Sequence, residues 1–379
     1  MGARVPVDFP AIRVRAMNYS TLSLQDAKTA PASSGQARLW FLDQLEPGRS
    51  DYNVAIGWRI EGELDIAALR GALQHVADRH EILRTTFYAI DGQPWQRIAP
   101  RRDVALTVTD LSGVAASARE AELARCLSQE IRRPFDLAVG PLSRVRLIRL
   151  AERDHALALN RHHTVCGGET GKITAREIGA AYDALHAGRS PDLPPVAIQY
   201  SDYVAWQREH LTPERLEALK AYWRKRLAGA PAALTLPADR ARPAVRHTDG
   251  AWTSFRIGAE LVRALDALAE GANVTPHMTL LAAFQVLLGR YADQDDVLVG
   301  SPVSAHSRDE FKDVMGFLVN TVVHRGDLSG HPTFRALLAR TGASAREAYA
   351  HRELTIERVV EAAAPERDPG RDPLFQAMF

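Results

Sequence analysis

The sequence predicts a mixed α/β (α+β) protein built as two lobes. Three observations carry this. The chain has 379 residues, more than one core of ordinary size organises and enough for two lobes of about 180 residues each. Segments of helical and of strand character alternate through both halves, with no glycine fingerprint of a dinucleotide-binding fold among them. Between the halves lies the stretch 186–197, holding Gly188, Pro191, Pro194 and Pro195, the composition of a linker. The division is therefore a lead-in at 1–30, an N-terminal lobe at 31–188 and a C-terminal lobe at 189–379.

The elements follow in order. From Ser33 the pattern turns helical, with Leu39, Leu42 and Leu45 recurring every third residue. Asp65 is placed to cap a helix carrying Leu69, Leu73 and Val76. That helix ends at Arg79-His80-Glu81, and a β-rich segment begins over Leu83–Phe87. Ala115–Ile131 is predicted helical, with Leu123, Cys126 and Leu127 on its apolar face. Val145–Leu150 and Ala156–Thr164 read as strands joined by the polar turn Glu152-Arg153-Asp154, and a helix follows with Ile178, Ala181, Tyr182 and Leu185 on one face. In the second half the expectations are a strand at Trp252–Ile257, a helix at Ala259–Leu268, and a helix opened by Thr275-Pro276 as N-cap and first residue. Buried strands at Val297–Val299 and Phe317–Val323, helices at Phe334–Tyr349 and Ile356–Ala363, and a strand starting at Leu374 complete the reading.

Composition narrows the function. At 46 % hydrophobic and 25 % charged residues the chain is that of a folded protein. A formal net charge of +1 gives no basic face for nucleic acid. No apolar run approaches the roughly 20 residues that span a bilayer, and residues 1–30 lack an apolar core followed by a cleavage site. Cys126 and Cys166 do not make a disulfide framework, and the cytoplasm is the expected compartment.

The chemistry concentrates in Asn160-Arg161-His162-His163-Thr164-Val165-Cys166-Gly167-Gly168, a strand running into a glycine-bearing loop. Side chains alternate across a strand, so Leu157, Leu159, Arg161 and His163 share one face and His162 lies on the other. The two histidines are not expected to act together. The same divergence argues against a metal held by His162, His163 and Cys166. Gly167–Ile173 fails as a phosphate-binding loop, because Cys166 stands where a glycine is needed and Ile173 follows Lys172.

Seven stretches resemble, in order, the motifs of nonribosomal peptide synthetase condensation domains. They are Ser33–Trp40, Arg79–Phe87, the His162-His163 loop, Tyr200–Trp206, Gly316–Thr321, His351–Glu357 and Arg367–Leu374. The resemblance runs from about Pro31 to the last residue. Trp40-Phe41-Leu42-Asp43-Gln44-Leu45 is most similar to the subtype that joins two L-configured units. In the family's His-His-x-x-x-Asp-Gly signature the Asp position is Gly167 here, and a second-lobe Arg position is His306. Glu169-Thr170 and Gly171-Lys172 also depart from the pattern.

The resemblance implies a chloramphenicol-acetyltransferase-like fold, V-shaped with a central tunnel. It implies that the chain is truncated relative to the family at its C-terminal end. Upstream and downstream carrier domains of a larger synthetase would deliver substrates on phosphopantetheine arms, and the domain itself would bind no metal or cofactor. The second histidine faces the tunnel in the family, which makes His163 the catalytic candidate. Gly168 is the backbone candidate for placing substrate, since a glycine lets the backbone approach closely, and the helix expected to begin near Thr170–Lys172 offers free N–H groups at its N-terminus. His162, Gly167, Arg84, Asn320 and His306 are the supporting candidates, Arg84 with an ion pair to Glu81 as its alternative. The implied reaction is amide formation. The alternatives are a docking domain of reduced activity, serving carriers or a tailoring enzyme, and an ester-forming relative.

Overall fold

The computed structural model describes residues 27–240, 250–251, 253–304, 308–364 and 371–379. The first half holds two sheets. Strands β1 (Lys28–Pro31), β3 (Thr85–Ile90) and β4 (Gln93–Ile98) form one, in the order β1-β4-β3. The other has the order β2-β7-β6-β5, from β2 (Asn53–Glu61), β5 (Leu106–Asp110), β6 (Ser143–Ala151) and β7 (Asp154–His162). Its pairs are antiparallel except β5 with β6.

Three helices fix the environment of β7. Helices α2 (Ile66–Arg79) and α4 (Gly168–His186) supply Leu69, Leu73, Val76, Ile173 and Ile178 to a core shared with Val145, Leu147, Leu157 and Leu159. Helix α3 (Ala116–Arg132) covers the opposite face, where Leu123 and Cys126 meet Ile148, Leu150 and Ala156. Burial on both faces explains why strict alternation gives way to adjacent apolar residues, Leu147-Ile148 in β6 and Ala156–Leu159 in β7. Local sequence sets the helix starts. Ser33 caps α1 (Ser34–Leu45) in a reciprocal box with Gln36, and Asp65 accepts from the amides of Ala67 and Ala68.

The second half contains α5 (Tyr200–His210), α6 (Pro213–Leu227), α7 (Ala259–Gly271), α8 (Pro276–Ala292), the antiparallel pair β8 (Asp296–Ser304) and β9 (Val319–Asp327), α9 (Phe334–Ala350) and α10 (Ile356–Ala363). Leu219, Trp223 and Leu227 of α6 pack with Leu298, Val322, Val323 and Val359. Leu281 and Leu288 of α8 pack with Val297 and Val299 on the other side of the pair. Thr275 caps α8, with Pro276 in its first turn. Tyr200, Tyr203 and Val204 of α5 join the first core, together with Phe311, Val314, Met315 and Leu318.

Four expectations change. Residues 253–257 are not a strand, since nothing among the described residues pairs with them and Phe255 is exposed; Trp252 lies outside the described residues. β9 starts at Val319 rather than Phe317, because Gly316 adopts φ +147° and lies against the Tyr200 ring. Leu374 opens no strand: its φ of +71° breaks the extension, leaving a single bridge between Gly300 and Met378. Of the three leucines on α1 only Leu39 is fully buried, and Leu45 is exposed.

Candidate active site

β7 ends at His162, and His163–Val165 is a 3-10 turn leading into α4. The expected strand alternation therefore stops one residue short of His163, whose direction the turn decides. Its Nδ1 lies 2.7 Å from the Cys166 carbonyl. A carbonyl only accepts, so Nδ1 carries a proton, and in the neutral ring Nε2 is the nitrogen with the lone pair. The ring meets Phe317 of the second half edge-on, with centroids 4.8 Å apart.

His162 is a different kind of residue. It is buried between Tyr52 and Phe135, and its Nδ1 pairs with the Thr164 hydroxyl at 2.9 Å and accepts from the Thr164 amide at 3.3 Å. Burial, reinforced by the neighbouring His163, lowers its pKa to about 4, so it stays neutral and holds the turn. Burial pushes the Cys166 thiol up to about 12, and its Sγ rests 3.5 Å from the His162 carbonyl. A thiol held protonated is a poor nucleophile and a poor metal ligand. Among the described residues no group of three His, Cys, Asp or Glu is placed to hold a metal ion.

Gly167 is the N-cap of α4 and is buried against the second half. A Cβ there would stand 3.0 Å from the Gly316 carbonyl oxygen and 3.4 Å from Val319 Cγ2. Gly168 is exposed, and a Cβ there would meet nothing within 4 Å. Its amide belongs to the first turn of a 19-residue helix, where backbone donors lack intrahelical partners and the dipole is positive.

A residue without a candidate role in the sequence joins the halves here. The Thr170 hydroxyl accepts from Gly167 N–H at 3.1 Å and Gly316 N–H at 3.2 Å, and donates to the Gly316 carbonyl at 3.4 Å. Its available signal was a Thr at the third position of a helix, where such side chains reach back to the cap. Tyr200 adds a second tie, donating to the Phe317 carbonyl at 2.9 Å and pairing with Ser33 Oγ at 2.9 Å. Phe317 also lines a cavity of about 120 Å³ with Gly35, Arg38, Asn320 and Glu357. Arg38 and Glu357 form an ion pair at 3.1 Å on its wall.

The remaining candidates separate. Asn320 fixes backbone: its Nδ2 donates to the carbonyls of Arg352 and Leu354, each at 2.7 Å, and its Oδ1 accepts from Ile356 N–H at 3.2 Å. Arg84 donates through Nη1 to the Ala99 carbonyl at the exit of β4 and is not joined to the histidine turn. The alternative pairing of Arg84 with Glu81 does not form, since Lys28 takes Glu81 at 2.9 Å. His306 lies outside the described residues.

The fold is that of condensation domains. The condensation-domain family matches residues 26–379, and the chain belongs to it. It is 47 % identical over 349 residues to one of the polypeptides of the linear gramicidin synthase of Brevibacillus parabrevis, covering 92 % of this chain and 7 % of that protein. It is 43 % identical over 354 residues to the phosphinothricin tripeptide synthetase PhsC of Streptomyces viridochromogenes, covering 93 % of this chain and 33 % of that one. The chain thus spans a small part of the relatives it matches, which are multidomain synthetases. Among solved structures, the X-domain in complex with OxyB from teicoplanin biosynthesis superposes with a TM-score of 0.82 at 30 % identity, covering 93 % of this chain and 77 % of that one. The condensation domain of the monacolin K polyketide synthase MokA shares the fold, with a TM-score of 0.79 at 24 % identity, covering 93 % of this chain and 81 % of that one. The architecture is the chloramphenicol-acetyltransferase-like fold. Among the described residues no helix is long and apolar enough to cross a membrane.

Proposed function

We propose that this chain forms an amide bond between two carrier-bound substrates, as a condensation domain most similar to the subtype joining two L-configured units. The observation that carries the reading is the His163 tautomer: Nδ1 is spent on the Cys166 carbonyl, leaving Nε2 as an acceptor beside a helix N-terminus.

The amine nitrogen of the downstream aminoacyl group attacks the carbonyl carbon of the upstream thioester. As the C–N bond forms, the carbonyl oxygen gains negative charge, which the first-turn amides of α4 are suited to stabilise. The C–S bond then breaks and the phosphopantetheine sulfur leaves. His163 Nε2 takes the amine proton and returns it to that sulfur, so the imidazole ends neutral. General base assistance of this kind is worth about 10²–10⁴-fold in rate, and holding the two carriers' arms in line contributes further. This chemistry uses no metal or cofactor held by the domain. The partners are the upstream and downstream carrier domains of a larger synthetase, reaching the histidine through a tunnel between lobes divided at residues 188 and 189.

A second reading has its own support. Gly167 replaces the motif Asp, and the X-domain, which this chain resembles at 30 % identity, was solved in complex with OxyB. The chain would then be a docking domain for carriers or a tailoring enzyme. The test is intact-protein mass spectrometry of carriers loaded with donor and acceptor, comparing the wild type with His163→Ala. Product that disappears in His163→Ala supports condensation. Absence of product from the folded protein with proven carriers, while carrier binding persists, establishes docking instead. Substituting a hydroxyl acceptor for the amine separates amide from ester formation.

A further inference from the structure

A second cavity lies inside the first half, between α2, α4 and the sheet. Its volume is about 350 Å³, within the range of natural small-molecule sites, which starts at about 300 Å³. Leu73, Val76, Val145, Leu159 and Ile178 give it apolar walls. Arg161 also lines it and is only 5 % exposed.

The guanidinium of Arg161 is held by neutral groups. Its Nε donates to Ser143 Oγ at 3.2 Å and its Nη1 to Thr174 Oγ1 at 2.9 Å. These partners come from β6 and α4, so three elements converge to fix the fork. Among the described residues no carboxylate forms an ion pair with Arg161. The two carboxylates that line the cavity are committed elsewhere, Glu130 to Arg144 at 2.7 Å and the exposed Asp103 to Arg101 at 3.4 Å. Arg102 lines it too and donates to the Val139 carbonyl at 3.3 Å, without an acidic partner among the described residues.

A buried cation without a counter-charge is costly, and a guanidinium offers five donors in a fork that matches a carboxylate. An ordinary core position on β7 would take an apolar side chain at no such cost. An oriented guanidinium without an acidic partner among the described residues, set beside the apolar walls of a cavity, is the arrangement that recognises an acid with a short hydrocarbon body.

We propose that this cavity binds a small carboxylate. Arg161 grips the carboxylate, the apolar walls hold its aliphatic or aromatic body, and Arg102 adds a second positive charge. The carboxylate is either a free organic acid or the acidic side chain of a carrier-bound substrate. Arg161 lies two residues before His163, and the tethered case rests on the function proposed above.

The test has two arms. In the first, the intact chain is titrated calorimetrically with isovalerate and with isovaleramide, its neutral counterpart. The acid is expected to bind at least tenfold more tightly than the amide. Arg161→Met should erase that difference. Ala77→Leu fills the cavity from α2 without altering a charge, and should weaken binding at least tenfold while the melting curve shows a folded protein. In the second arm, carriers bearing aspartyl and asparaginyl acceptors compete for one donor, in wild type and Arg161→Met. Selective binding of free isovalerate identifies a free acid as the ligand. An Arg161-dependent preference for aspartyl, without isovalerate binding, identifies a tethered one. If neither arm shows an Arg161-dependent preference for the carboxylate, the proposal is overturned. If no acceptor is turned over at all, the condensation reading fails separately and the titration alone decides.

Discussion

Replacing Thr170 with valine should loosen the contact between the histidine turn and the second half more than any other change of equal size. The two side chains have nearly the same shape, so packing is conserved and only the hydroxyl is lost. That hydroxyl is fully buried and serves the N–H groups of Gly167 and Gly316 as well as the Gly316 carbonyl. Valine leaves both N–H groups unpaired, and each buried unpaired donor costs about 1–3 kcal/mol. The expected loss is therefore about 2–6 kcal/mol, which lowers the melting midpoint by roughly 5 °C in a chain of this size. Thr170→Ser keeps the oxygen and should stay within about 1 kcal/mol of the wild type. Calorimetric melting of the three proteins, followed by the carrier condensation assay, reads both effects. A Thr170→Val protein that melts with the wild type would refute the bridging role of this hydroxyl.

Three further outcomes are expected. Gly168→Ala should leave the melting midpoint unchanged, because a Cβ there meets nothing within 4 Å; a fall in condensation rate without a stability change would show that substrate approaches this backbone closely, and equal rates would remove Gly168 from the catalytic candidates. Asn320→Ala removes three hydrogen bonds that hold the 352–356 backbone, and denaturant unfolding should register a loss of about 2–3 kcal/mol. Burial first, then the charges of His277 and Arg226, lower the pKa of His324 to about 4 from the usual 6.5, and neither ring nitrogen has a hydrogen-bond partner. A depressed folded pKa means stability that is complete above about pH 6.5 and lost as pH falls toward 4. His324→Phe should flatten that part of the stability–pH curve, and an unchanged slope would assign the loss to other groups, His162 among them.

Several features were legible in the residues because their causes are local. Asp65, Thr275 and Ser33 announce helix starts through side chains that reach amides two or three positions on. The double-sided burial of β7 shows in the four consecutive apolar residues Ala156–Leu159. The strand proposed at Trp252–Ile257 failed for the opposite reason. A strand is completed by a partner's hydrogen bonds, and apolar residues such as Phe255 and Ile257 do not reveal that no partner stands beside them among the described residues.

For the site, the family and the candidate histidine were legible in the residues, since the ordered motifs are short runs of consecutive residues, whereas the turn at His163–Val165 was not, the strand being expected to continue to Thr164. Folding of the whole chain set what the His163 ring faces: Phe317 reaches it from the second half, with centroids 4.8 Å apart. It alone brought Thr170 to Gly316, 146 residues away, and buried Arg161 on the wall of a cavity where no carboxylate among the described residues pairs with it. Hydrogen bonds within one turn follow from neighbouring residues. The field around a buried charge, and the contact between two halves, are set by groups that meet only after the chain has folded.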